Sequence, residues 1–155
     1  MVGQKWAIYW NEYSSDTYLY GSKLSFNKRD DVEFENLLMP PGTIIKQWYS
    51  KTNFQMQKIE PSLPMIDGES SYRIILNVDI PDGENIMGRL LFFDRYDMEA
   101  GSVFLRDKVT EFRCPLKTYS YSLQLINSGV THLHFHSIEI QEIIDGTEED
   151  DKTTE

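Results

Sequence analysis

Apolar and polar positions alternate most regularly over Tyr72 to Ile80. Tyr72, Ile74, Leu76, Val78 and Ile80 share one parity, and Arg73, Asn77 and Asp79 the other. Successive side chains of an extended chain point to opposite faces, so this run predicts a half-buried β-strand whose core side would not tolerate Leu76→Asp. Runs of β-branched and aromatic residues bounded by turn residues predict further strands over Trp6 to Trp10, Thr17 to Tyr20, Lys23 to Phe26, Val32 to Phe34, Ile44 to Tyr49 and Tyr121 to Leu125. Arg89 to Asp94 holds Leu90, Leu91, Phe92 and Phe93 in succession, apolar on both faces as in a central or covered strand. Val103 to Arg113 reads as a strand pair or one strand bent around Arg106-Asp107, and Asn127-Ser128-Gly129 ends the strand before the last.

The last strand carries its own irregularity. Leu133 and Phe135 fall on one parity, Ile138 and Ile140 on the other. A one-residue slip turns every later side chain to the opposite face, so a β-bulge near His136-Ser137 is predicted to return the apolar set to the core. Pro40-Pro41-Gly42 and Pro61-Ser62-Leu63-Pro64 place the stretch from Asn36 to Pro64 outside any strand interior, because proline lacks the ladder donor. Residues 50–60 are the one place where a short helix is expected. About nine short strands separated by turn signals predict an all-β domain, an antiparallel β-sandwich of the jelly-roll type, with a closed barrel as the alternative. One domain over residues 1–144 and a disordered tail over 145–155 describe the chain.

Charge narrows the partners. The net charge of −10 comes with scattered basic residues, which argues against nucleic acid, since affinity for phosphate backbones comes mainly from Lys and Arg. Part of the excess sits in the tail, where Asp145, Glu148, Glu149, Asp150, Asp151 and Glu155 face only Lys152; such a block chiefly solvates the end of a chain. The first ten residues lack the apolar core of a secretory signal, and nowhere do eighteen apolar residues run together. With Cys114 as the lone cysteine, the expectation is a reducing cytoplasm, with neither secretion by that route nor a membrane span.

Candidate chemistry is sparse. His132, His134 and His136 share a strand face, and neighbouring members are close enough to share a metal ion. Steps of about 6.8 Å put the outer two about 13 Å apart, too far for one coordination shell. With no cysteine nearby and acidic neighbours in sequence only from Glu139 onward, no metal site is expected. Gly-x-Ser-x-Gly, Gly-x-x-x-x-Gly-Lys and Gly-x-Gly-x-x-Gly motifs are missing from the sequence, and Cys114, followed by Pro115, reads as a buried or half-exposed thiol. Neither catalysis nor a cofactor is expected. What remains is an aromatic surplus, Trp48, Tyr49, Phe54 and Tyr96 among it, suited to stacking on sugar rings or anchoring a protein interface. Arg95, between Asp94 and Tyr96, adds hydrogen-bonding capacity at a strand end.

Six runs in series carry a family resemblance: Tyr18-Leu19-Tyr20-Gly21-Ser22, Met39-Pro40-Pro41-Gly42-Thr43-Ile44-Ile45, Trp48-Tyr49-Ser50, Pro61-Ser62-Leu63-Pro64, Phe92-Phe93-Asp94-Arg95-Tyr96 and Tyr121-Ser122-Leu123-Gln124-Leu125-Ile126-Asn127. From about Trp6 to Ile144 the chain resembles the third accessory secretory protein of the accessory Sec system. The resemblance implies a fold like that of carbohydrate-binding modules. It also implies a non-catalytic cytoplasmic subunit, with peripheral attachment at the inner face of the cell membrane as a further option. The implied partners are two larger accessory secretory proteins, one glycosyltransferase-like and one hydrolase-like, together with the motor ATPase and a glycosylated serine-rich-repeat adhesin preprotein in transit. The alternative reading is a lectin-like module that binds N-acetylglucosamine on that preprotein directly. Trp48, Tyr49, Phe54, Asp94, Arg95 and Tyr96 are the expected partner- or glycan-binding residues, with Trp48 exposed, so that Trp48→Ala would spare folding.

Overall fold

The computed structural model describes residues 2–10, 17–50 and 63–144. Among these residues ten strands follow in order: β1 Val2–Ile8, β2 Lys23–Lys28, β3 Asp31–Glu35, β4 Ile44–Tyr49, β5 Ser71–Asp79, β6 Ile86–Phe93, β7 Glu99–Leu105, β8 Val109–Arg113, β9 Ser120–Asn127 and β10 His132–Ile143. All pairings are antiparallel. One sheet runs β2-β3-β10-β5-β8 with β1 also on β10, and the other runs β4-β9-β6-β7. Among the described residues the strands at the ends of these rows pair on one side only, so the two sheets form a sandwich and the barrel alternative falls.

The bulge expected in the last strand is present. The β10–β5 ladder slips between Phe135 and Ser137. Leu133 and Phe135 before the slip and Ile138 and Ile140 after it are all fully buried. The bulge also divides one edge of β10 between two partners: His132 to Phe135 pair with β3, Ile138 to Ile143 with β1. β1 stops at Ile8, short of the expected Trp10, where its partner strand reaches the bulge between Phe135 and Ser137. Thr17 to Tyr20, expected as a strand, makes one isolated bridge from Thr17 to Lys46 and then turns. Gly21 takes φ +77°, open to glycine without cost, and the Ser22 hydroxyl donates to the Tyr18 carbonyl at 2.6 Å. Val103 to Arg113 divides into β7 and β8, which belong to different sheets. The helix expected near residues 50–60 lies outside the described residues beyond Ser50.

Two aromatic groups tie the sheets together. Trp48 of β4 stacks on Phe135 of β10 at 5.4 Å between centroids, and Trp10 meets Phe135 edge-on at 5.7 Å. Toward the other end Phe92 of β6 lies 5.9 Å from Phe112 of β8 and 6.2 Å from Tyr121 of β9. Burying one such side chain stabilises by about 1.5–3 kcal/mol. Tyr121 satisfies its hydroxyl on the Pro64 carbonyl at 2.5 Å, and burial pushes its ionisation far above the ordinary range.

Candidate functional site

The expected site residues do not share one environment. Trp48 is 2% exposed, with its indole N–H donating to the Tyr9 carbonyl at 3.2 Å. Its parity on β4 aims it between the sheets, so the expectation of an exposed Trp48 is corrected, and Trp48→Ala would open the core. Tyr49, on the opposite face of the strand, is half-buried. Phe54 lies outside the described residues. Asp94, Arg95 and Tyr96 form the turn between β6 and β7. Asp94 accepts from the Tyr96 and Met98 amides at 2.8 and 3.0 Å, so its carboxylate builds the turn. Asp97 adopts φ +62° within it, Arg95 is exposed, and Tyr96 is 78% exposed. The Tyr119 amide bonds the Phe93 carbonyl at 2.7 Å, which brings exposed Tyr119 to the same end of the sheet as exposed Tyr96 and Met98.

A second exposed apolar group sits at the opposite end of the sandwich. Asn36 is buried; its amide nitrogen donates to the Tyr20 carbonyl at 2.8 Å and the Ser22 hydroxyl at 2.9 Å, and its oxygen accepts from the Leu38 amide at 3.0 Å. These bonds clamp the turn after Thr17 to the turn after β3. The clamp presents Leu19, Tyr20, Leu37 and Leu38 outward at 64%, 84%, 68% and 90% exposure. Beside it Asn127, also buried, donates to the Met39 and Pro40 carbonyls and accepts from the Gly129 and Val130 amides. The run Tyr18 to Ser22 was visible in sequence, but its apolar side chains read as strand. Its pairing with Leu37 and Leu38 depends on a buried amide that no local pattern announces.

The outer face of the six-stranded sheet is charged. His132 lies 2.6 Å from Glu33, His134 3.0 Å from Asp31, and His136 2.8 Å from Asp79 and 2.7 Å from the Asp30 carbonyl. Hydrogen bonds to Asp79 and then to the Asp30 carbonyl hold the His136 imidazole above its ordinary value, and the bond from His134 holds Asp31 below the usual carboxylate range. The acids facing these histidines come not from β10 itself but from β3 and β5, placed by strand register. Cys114 is buried, and burial pushes its thiol up, away from nucleophilic use.

Comparison with known proteins adds a family. The model of the family described as accessory Sec secretory system ASP3 matches residues 17–142. The chain is 35% identical to the accessory Sec system protein of that name from Streptococcus gordonii, covering 89% of this chain and 92% of that protein. It is 27% identical to the protein of the same name from Staphylococcus aureus, covering 88% of this chain but 42% of that protein. Among solved structures, it superposes with a TM-score of 0.82 and 30% identity on a chain from the complex of accessory secretory proteins 1, 2 and 3 of Streptococcus pneumoniae, covering 93% of this chain and all of that one. A chain of the glycosylation-associated Gap123 complex of Streptococcus agalactiae gives the same TM-score at 31% identity, with 91% of this chain and 45% of that chain covered.

Proposed function

The chain belongs to the accessory Sec secretory system ASP3 family, and from that premise we propose that it works as the β-sandwich subunit of an export assembly, docking onto two larger accessory secretory proteins through the clamped apolar end. The supporting observation is the exposure of Leu19, Tyr20, Leu37 and Leu38 on turns that the buried Asn36 holds in place. Large apolar side chains on a fixed backbone lose little freedom when a partner covers them, which makes them efficient anchors. The Streptococcus pneumoniae chain of the same fold was solved with accessory secretory proteins 1 and 2, which favours partners of that kind. Passage of a glycosylated serine-rich-repeat preprotein to the motor ATPase, at the cytoplasmic face of the membrane, is the process this assembly serves. The lectin-like alternative loses Trp48 to the core and keeps Tyr96 as an exposed ring, so the assembly reading is preferred.

Co-expression with accessory secretory proteins 1 and 2 of the same organism tests this. The wild-type chain should co-elute with them in gel filtration. Tyr20→Ser combined with Leu38→Ser should weaken association at least tenfold, while the melting temperature holds and Tyr96→Ser leaves association intact. A wild-type chain that elutes alone rejects the assembly. Undiminished association of the double variant rejects this surface.

A further inference from the structure

The imidazoles of β10 and the carboxylates of β3 converge because the two strands pair antiparallel, with His134 directly opposite Glu33 and His132 opposite Glu35. His132, His134 and Glu33 therefore project from the same sheet face, and Glu33 reaches both rings. Its Oε2 lies 2.6 Å from His132 Nε2 and 3.9 Å from His134 Nε2. One ligand atom from each of the three lies within 4.8 Å of the others, and their side chains are between 34% and 38% exposed. A tetrahedral ion with bonds of about 2.0–2.1 Å needs its ligand atoms about 3.3 Å apart. The shorter Glu33 separation has to open and the longer one to close, each by well under an ångström, and the two imidazole nitrogens, within 4.8 Å of each other, have to close by at most about 1.5 Å, a range that side-chain torsions cover.

We propose that Glu33, His132 and His134 form a Zn²⁺-binding site on the outer face of the six-stranded sheet. Two imidazole nitrogens and one carboxylate oxygen suit a borderline divalent ion, and Ca²⁺ or Mg²⁺, which take oxygen ligands, are poor matches. Asp31 gives the set its orientation. It lies 3.0 Å from His134 Nδ1, so with the proton on Nδ1 the lone pair of that ring is on Nε2, the nitrogen turned toward Glu33. A carboxylate behind a histidine ligand is the usual outer-shell arrangement at zinc and strengthens the ring as a donor. Three protein ligands on an open face leave the fourth position to water or to a donor from another molecule. The ion would also cross-link β3 to β10 where the edge of β10 passes from β1 to β3.

The test is titration of the full chain with Zn²⁺ against a chromophoric chelator, alongside Co²⁺ absorption bands as a direct report of nitrogen ligation. Wild type should take up one saturable equivalent and show the Co²⁺ bands. His132→Ala and Glu33→Gln should each abolish both signals. Asp31→Asn should lower affinity about 10- to 100-fold, and His136→Gln should leave it unchanged. Far-UV circular dichroism checks that each variant folds; if His132→Ala does not, the partly exposed Glu33→Gln decides. Absence of a saturable equivalent in wild type overturns the proposal. So does uptake that survives Glu33→Gln, which would assign the ion to other acidic groups.

Discussion

The two ends of the four-stranded sheet are closed by different means. Where β4 and β6 begin and β9 stops, Asn36 and Asn127 are buried amides that bond segments far from them in sequence, Asn36 to Tyr20 and Ser22, Asn127 to Met39 and Pro40. Where β4 and β6 stop and β9 begins, the bonds of the Asp94 carboxylate among the described residues stay within its own turn, to Tyr96 and Met98. Water can replace the partners of a partly exposed carboxylate more readily than those of a buried amide, so the turns at the first end depend on tertiary structure and the β6–β7 turn on local chemistry, although the second end as a whole is also tied by the Tyr119 amide to the Phe93 carbonyl and by the Tyr121 hydroxyl to the Pro64 carbonyl. The apolar side chains at the first end are therefore presented on turns that buried amides hold, and Tyr96 on a turn closed by Asp94 itself.

Asn127→Ala breaks the first end most directly. Its side chain donates to two carbonyls and accepts from the Gly129 and Val130 amides. Removing it strands buried groups, at a cost of about 2–3 kcal/mol, read as a lower urea midpoint with an unchanged slope. Asp94→Ala, at the other end, should cost at most about 1 kcal/mol, because the freed amides are exposed to solvent. Equal losses in the two variants would erase the distinction between the ends.

Much of this architecture was legible in the sequence because strand parity acts locally. The alternation in β5 and the parity switch in β10 each report which side chains must enter a core, and the bulge falls where that switch requires it. Legibility failed where a side chain's fate depends on its neighbours across the fold. Trp48 and Tyr49 are adjacent aromatics, and one of them had to face outward; which one was decided by the pairing of β4 with β9, and it was Tyr49. The carboxylates facing the three histidines lie in β3 and β5, about a hundred and about sixty residues away along the chain. No motif spacing spans such distances. Asn36 stands in the sequence only as the start of a proline-containing stretch, since a buried polar side chain is invisible until its partners are in place.

A third anchor, this one charged, belongs to the amide end. Glu84 accepts from the Thr131 amide and the Thr131 hydroxyl, both at 2.8 Å, and so holds the turn between β9 and β10. These bonds, the one from the amide foremost, pull its carboxyl below the ordinary value of 4.5. A carboxyl depressed in the folded state stabilises the chain above its unfolded value, and that contribution fades as pH falls through the lower folded value. Glu84→Gln keeps one acceptor oxygen and loses the charge. Its denaturation midpoint should thus fall below that of wild type at pH 7, by less than in Asp94→Ala because the group is partly solvated, and the gap should close as the pH is lowered below about 4. A gap that stays constant down to about pH 3, well below the ordinary carboxyl range, would mean that the shape of the side chain, and not its charge, holds the turn.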